Sequence, residues 1–323
     1  MRGTGAEELE RYREACARWF GWLDDDGEHS ITDQLSRLFW QDAVFRIFNE
    51  ARRHAAKTGP AAAIGPTLAR FLDEGYVAGQ VVGISKLLEI SRESQPKKGV
   101  ISLRRLVDDL IANRHLLTRA NYLGRDGLAY DYEAIQAEEY ARLLERADPQ
   151  NPTFEWMEVG GARDWDTAQR LHEQFDRLAG VKPENRNPDD LVSEETLGRL
   201  LAAFDDPVFK TITTVRHKSV AHAADDYSRQ QAAEYRTGIK FDEIDRALWV
   251  LVGVKQAISA TLLHGPWRAG AVPVPQRDHF LHLDKPFIDP AAVDELRAFW
   301  DQHAEARDQW LTDSYEEFLP PKR

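Results

Sequence analysis

The residues best suited to chemistry lie between Lys210 and Asp226, where the chain reads KTITTVRHKSVAHAADD. Arg216 keeps its positive charge and offers a fork of donors suited to a phosphate, while His222 can take up and return a proton near neutral pH. His222 could remove the proton from a ribose 2′-hydroxyl while Arg216 stabilises charge on the phosphorus oxygens. His217 and Lys218, between them, could make supporting contacts. This pattern predicts metal-independent cleavage of RNA through the 2′-hydroxyl, leaving a 2′,3′-cyclic phosphate.

The spacing of Arg216 and His222 does not select this function by itself, because the chain contains 42 Lys and Arg residues and 10 histidines. Similar spacing occurs twice more, in Arg277 with His282 and in Arg297 with His303. The first pair differs in its surroundings, since Lys210, Arg216 and Lys218 are followed by no carboxylate until Asp225. A helix with a capping arginine and a packed histidine remains an alternative to a catalytic site.

The stretch RHKSVAHAAD resembles the signature of the HEPN superfamily (higher eukaryotes and prokaryotes nucleotide-binding). In that signature an arginine, usually followed by a polar residue, precedes a histidine by four to six positions. The resemblance is closest to the abortive-infection branch, whose members the segment from Ile101 to Glu133 also resembles. The similarity extends over residues 60–265, with its one short motif at Arg216 and His222.

The resemblance implies that Arg216 and His222 are the catalytic pair and that His217 occupies the polar position after the arginine. Members of the superfamily are mostly helical, commonly dimeric, and often metal-independent ribonucleases in toxin–antitoxin or phage-defence systems. A homodimer acting on RNA is therefore expected, with an antitoxin or another regulatory protein as a further partner. Because other members only bind nucleotides or are inactive partners, a non-enzymatic helical module that binds a nucleotide or a protein is the alternative.

The separation of Arg216 and His222 limits how they can meet. On one uninterrupted α-helix six residues rotate a side chain by about 600°, so the two would point to different faces. The five β-branched residues 211–215 disfavour helix, so the backbone could break or tighten just before Arg216. Alternatively, two subunits related by a two-fold axis could pool their Arg and His residues in one cleft. We expect the second arrangement.

Composition restricts where RNA could bind. The 323-residue chain is 42% hydrophobic and 30% charged, which is typical of a globular protein, and its formal charge is −12. An acidic protein lacks a broad nucleic-acid surface, so any RNA site must be local. The single cysteine, Cys16, excludes a disulfide framework and suits the reducing cytoplasm. The charged N-terminal residues are not typical of a signal peptide, and the apolar stretch 75–85 is too short to cross a bilayer.

A second basic region lies between Arg92 and Arg119, where seven Lys or Arg residues accompany three acids. Arg104, Arg105 and Arg114 in this region are candidate RNA contacts, together with Lys210. The alternative is pairing along a helix surface, because Arg104 with Asp108 and Arg105 with Asp109 are four residues apart.

Hydrophobic periodicity predicts an all-α fold, a multi-helix bundle of HEPN type. Residues 1–265 would form one domain, and residues 266–323 a Pro-rich irregular arm followed by a helix over 291–318. Ser102 and Ser193 are predicted N-caps and Gly180 a C-cap. His172 is expected on a helix surface.

Three glycines, Gly75, Gly79 and Gly83, recur at four-residue intervals and predict a smooth ridge for internal packing or for a dimer face. In the arm, His279, His282 and Asp284 have spacing that suits a metal, but the alternation in HFLHLD equally suits a short strand. No metal and no cofactor are expected.

Overall fold

The computed structural model describes residues 5–58, 65–90, 99–146, 160–220, 238–265, 270–276, 278, 281 and 292–317. These residues are overwhelmingly helical and contain a single isolated bridge, between Thr118 and Leu191, in place of any sheet. The predicted all-α class is therefore confirmed. The helices are α1 Gly5–Phe20, α2 Ile31–Thr58, α3 Pro66–Leu87, α4 Leu103–Ala112, α5 Arg119–Gly124, α6 Tyr132–Arg146, α7 Trp165–Ala179, α8 Glu194–Ala202, α9 Pro207–Val215, α10 Phe241–Gln256 and α11 Val293–Glu317.

The chain divides into two compact units, Met1–Pro273 and Val274–Arg323. The division falls within the Pro-rich segment, a few residues after the boundary expected from sequence. The buried hydrophobic residues of the described ranges lie between Tyr12 and Leu263, in the first unit. In the second unit, α11 occupies the position predicted for the terminal helix. No described helix is long and apolar enough to span a membrane.

The helix ends follow the predicted capping chemistry. The hydroxyl of Ser102 accepts the N–H of Arg105 at 3.0 Å, and that of Ser193 accepts the N–H of Thr196 at 3.1 Å. Gly180 ends α7 in the left-handed conformation, with a φ of 70°. These residues fix the starts of α4 and α8 and the end of α7, because each satisfies backbone groups that the helix leaves unpaired.

The glycine ridge of α3 packs against α2. A Cβ at Gly83 would lie 2.6 Å from Leu38 Cδ2, and one at Gly79 would lie 3.4 Å from Gln41 Oε1. A Cβ at Gly75 would meet nothing within 4 Å. Internal packing, one of the two predicted uses of the ridge, therefore accounts for Gly83 and Gly79, since the helices can approach closely only where a side chain is missing.

A buried ion network joins α5, α7 and the loop before α8. The fully buried Arg119 contacts Asp176 at 2.8 Å and Asp190 at 3.0 Å, and its guanidinium lies 4.9 Å from the Phe175 ring centre. His172 packs beside it, 2% exposed, with Nε2 2.8 Å from the carbonyl of Tyr130. The expectation that His172 lies on a helix surface is wrong, because the face of α7 that carries it also carries the buried Phe175.

Candidate functional site

Arg216 lies where α9 changes its helical geometry. The helix runs unbroken from Pro207 to Val215 and then widens into a π-helical turn, Arg216–Val220. The break or tightening considered before Arg216 is therefore absent, and a widening begins at Arg216 itself. The β-branched residues stay helical because Ile212 and Val215 pack into the core, and this packing outweighs their low helix propensity. The hydroxyl of Thr214 donates to the carbonyl of Lys210 at 2.9 Å and is thereby satisfied within the helix.

The guanidinium of Arg216 faces a carboxylate from another part of the chain. Its Nη2 lies 3.4 Å from Glu89 Oε1, and the two side chains are 30% and 36% exposed. Glu89 follows the end of α3, which packs along both α9 and the π-helical turn. A partly exposed, single-contact ion pair of this kind contributes about 0–1 kcal/mol. A phosphate, which can accept two hydrogen bonds from an arginine, can therefore compete with Glu89.

Glu89 was not predicted as a functional residue, and nothing local in the sequence signals it. It lies 127 residues from Arg216 in the chain. Its backbone carbonyl accepts the hydroxyl of Ser102 at 2.5 Å, so the start of α4 lies beside it. The fold thus brings Arg216 close to the helix that carries the second basic region.

The predicted supporting residues occupy different positions on this segment. His217 is exposed and Lys218 is half-buried, both in the π-helical turn, while Lys210 is exposed on α9. His222 lies outside the described residues, as does Asp225. The meeting of Arg216 with His222, within one subunit or between two, therefore stays a prediction.

The three arginines proposed as RNA contacts are each engaged within the protein. Arg104 pairs with Asp108 at 3.0 Å. Arg105 donates to the carbonyl of Val100 at 2.7 Å and lies 4.2 Å from the ring centre of Trp22. Arg114 donates to the carbonyl of Val192 at 2.8 Å and pairs with Glu194 at 3.0 Å.

Asp109, the expected partner of Arg105, instead accepts the indole N–H of Trp19 at 2.7 Å and the guanidinium of Arg18 at 2.9 Å.

A cleft of about 640 Å³ opens beside Glu89, between α2, α3 and the segments on either side of them. Its charged lining is mixed, with the cationic side chains Arg37 and Lys86 and the acids Asp26, Glu28 and Glu89. A cleft of this volume falls in the range that takes a small ligand such as a nucleotide.

A second cluster of titratable groups lies where the helical body ends. His264 has a φ of 50°, a left-handed conformation uncommon outside glycine, and its Nδ1 lies 3.4 Å from Asp126 Oδ2. Its Nε2 is buried and has no hydrogen-bond partner among the described residues. Burial lowers the pKa of His264, and the hydrogen bond from His264 together with the Arg125 guanidinium holds the pKa of Asp126 well below its usual value. We therefore assign a neutral His264 that donates its Nδ1 proton to Asp126.

Within the described ranges no group of three or more His, Cys, Asp or Glu side chains has the arrangement of a metal site. The trio considered from sequence, His279, His282 and Asp284, lies outside those ranges. In comparisons with known proteins, no family model, curated protein or solved structure matches the chain.

Proposed function

We propose that this protein is a metal-independent endoribonuclease of the HEPN type, acting as a homodimer in phage defence or in a toxin–antitoxin pair. The observation that carries the proposal is the position of Arg216. Its guanidinium is partly exposed at a π-helical turn, and the carboxylate it faces is held by a single 3.4 Å contact. π-helical turns lie frequently at functional sites, and this one is accompanied in the described residues by two others, Gly21–Asp25 and Ala257–Leu262. The all-α class of the described residues is compatible with a HEPN-type bundle.

In this mechanism Arg216 leaves Glu89 and binds the non-bridging oxygens of the scissile phosphate, where it stabilises the charge that develops during attack. His222 acts as the general base on the 2′-hydroxyl or as the general acid on the leaving 5′-oxygen. His217 and Lys218 contact the phosphates next to it. A site made of so few cations is compatible with an acidic protein, because the rest of the surface does not have to bind RNA.

A second candidate function is a module that binds a nucleotide without cleaving it. The observation that favours it is the cleft of about 640 Å³ beside Glu89, which is lined by both acids and bases and is large enough for one nucleotide. The first function requires cleavage of a phosphodiester bond at Arg216 and His222, whereas the second requires only that a nucleotide binds in the cleft.

The test is cleavage of a mixed RNA pool by purified protein in excess chelator. Arg216→Ala and His222→Ala should each lower the rate by at least about 100-fold, because each removes one part of the transition-state stabilisation. The matched control is the double variant Arg297→Ala with His303→Ala, which removes a pair of similar spacing on α11 and should cleave as the parent does. Products of the parent should end in a 2′,3′-cyclic phosphate and a 5′-hydroxyl.

Equal cleavage by the parent and both single variants would contradict the proposed site. If the parent cleaves no RNA but binds a nucleotide, and Lys86→Ala in the cleft weakens that binding, the non-enzymatic function is favoured instead.

A further inference from the structure

We infer that a second copy of this chain binds across the groove between α8 and α10, with Trp249 of each copy inserted into the groove of the other. The inference does not depend on ribonuclease activity. Trp249 is 66% exposed on α10, whose opposite face carries the buried Leu248 and Leu251. The Arg246 guanidinium lies 4.6 Å from the centre of the Trp249 ring and restricts its position. Tryptophan is among the residue types that are enriched at the few positions that dominate the binding energy of protein–protein interfaces.

The groove that would receive this ring lies beside it on the same helix. It has a volume of about 450 Å³, and its apolar lining includes Leu200 and Ala203 from the α8 side and Val250 and Val254 from α10. Gly253 also lines it, and among the described residues a Cβ there would meet nothing within 4 Å. The space over Gly253 is therefore open to an incoming side chain.

Trp249 forms a projection and the groove over Gly253 forms a recess, and the spacing between them identifies the partner as a second copy. Trp249 and Gly253 are four residues apart, so they share one face of α10. If a two-fold axis crosses that face midway between them, the α10 helices run antiparallel, and Trp249 of each copy lies over Gly253 of the other. Such reciprocity is the defining property of an isologous interface. An unrelated partner would need only the recess or only the projection.

Charge favours the same conclusion. The chain carries a formal charge of −12, so two copies repel each other on average. The charged residues that line this groove are balanced, with Arg199 and Arg246 against Asp205 and Asp206. Arg246 also pairs with Asp206 at 2.8 Å. Two copies can therefore approach here without an excess of like charge.

The glycine ridge of α3, which the sequence suggested as a dimer face, is occupied at Gly83, where Leu38 fills the space. The α8–α10 face is also connected to the candidate site, because α10 packs against α9, at whose end Arg216 lies. Two tryptophans bury about 300–500 Å² together, so the flanking surfaces of α8 and α10 must supply the rest of the roughly 1,200 Å² of a specific interface.

The test is sedimentation equilibrium of the full chain over a dilution series. The parent should reach twice its monomer mass of 36.9 kDa. Trp249→Glu removes the projection, and Gly253→Leu fills the recess. Each should weaken dimerisation by at least about 10-fold, the effect expected at the centre of an interface. Gly253→Leu should not lower the thermal unfolding midpoint, since its side chain enters open space and glycine is a poor helix former.

The matched control is Phe71→Glu, which places the same charge at an aromatic residue 71% exposed on α3 and should dimerise as the parent does. A parent that stays monomeric at every concentration would overturn the inference. So would a dimer that both Trp249→Glu and Gly253→Leu leave intact. If the dimer forms as inferred but cleaves no RNA, only the proposed ribonuclease activity fails.

Discussion

At the scale of single residues, the proposed chemistry depends on the pair of Arg216 and Glu89, because Arg216 must leave this carboxylate before it can bind a phosphate. Arg216 could be singled out from its residue type, its spacing to His222 and the absence of nearby acids. Glu89 could not, because it approaches Arg216 only after α3 packs along α9. The same holds for Asp109, which is bound by Trp19 and Arg18 from a distant helix rather than by the arginine four residues before it. A pairing rule for one helix surface cannot anticipate competition from another helix.

Glu89→Gln should tighten the binding of RNA by up to about 5-fold, because it removes a competitor for Arg216 worth at most about 1 kcal/mol. The measurement is fluorescence anisotropy of a labelled oligoribonucleotide in chelator, in a His222→Ala background that prevents cleavage. Glu28→Gln is the matched control, because it removes the same charge from the same cleft but at a residue 76% exposed and 4.0 Å from Arg37.

If Glu28→Gln tightens binding equally, the effect is one of overall charge and not of the pair. Weaker binding by Glu89→Gln would mean that Glu89 holds Arg216 in its binding position instead of competing with the phosphate.

The free energy of unfolding should fall as the pH decreases below about 6.5, the unperturbed histidine pKa. Burial lowers the pKa of both His264 and His172, so the unfolded chain takes up protons that the folded chain does not. The contribution of each neutral histidine to the free energy of unfolding is complete above its pKa in the unfolded chain. It is lost as the pH drops toward its pKa in the folded chain, by up to about 1.4 kcal/mol per pH unit for each histidine. Urea unfolding between pH 7.5 and 5 measures the slope.

His264→Asn should reduce that slope, since asparagine does not titrate and tolerates the left-handed backbone conformation at this position. The control is His29→Asn, which removes an imidazole that is 76% exposed, and only a change of slope larger than this control's is assigned to His264. A slope identical in the parent and in His264→Asn would show that His264 is protonated in the folded state at the same pH as in the unfolded state.

At the scale of elements, the ends of helices were more predictable than their irregularities. Ser102, Ser193 and Gly180 cap as expected because a cap depends on a side chain or a backbone angle within a few residues. The π-helical turn at Arg216 and the burial of His172 depend on distant neighbours. Arg119 is the clearest case, since a fully buried arginine is tolerable only with the carboxylates of Asp176 and Asp190 beside it, which lie far along the chain.

Two alanine substitutions in α3 should have opposite effects on stability. Gly83→Ala should destabilise the fold by about 1–2 kcal/mol, because its Cβ would meet the buried Leu38 at 2.6 Å and this overpacking outweighs the gain in helix propensity. Gly75→Ala should stabilise it by up to about 1 kcal/mol, since the added methyl meets nothing within 4 Å. Denaturant unfolding of both variants measures the difference. Equal effects would mean that α2 and α3 do not approach closely at Gly83.

At the scale of the whole molecule, the acidic composition predicts that any RNA site must be local, and the contacts of individual arginines indicate where it can lie. A chain with 54 acids and 42 basic Lys and Arg residues can bind RNA only where its own carboxylates hold a cation weakly, as Glu89 holds Arg216 by a single 3.4 Å contact. Arg104 and Arg114 are held more closely, each by a carboxylate at 3.0 Å. Arg105 is bound to a backbone carbonyl and an aromatic ring. A sequence count of the second basic region therefore overstates its capacity for phosphate, because it records charge and not hydrogen-bonding partners.

The salt dependence of RNA binding tests this view of the whole charge distribution. A local site at Arg216, with Lys218 in the same π-helical turn, would neutralise about two phosphates, giving a slope of log K against log salt of roughly −1.4 for a single strand. Anisotropy titrations of the His222→Ala protein in chelator measure this slope. Replacing Arg104 or Arg114 by Gln should leave it unchanged, whereas Arg216→Gln should make it shallower by about 0.7. A slope steeper than about −4, reduced by the Arg104 and Arg114 variants, would instead show that the second basic region binds RNA and that its ion pairs open to do so.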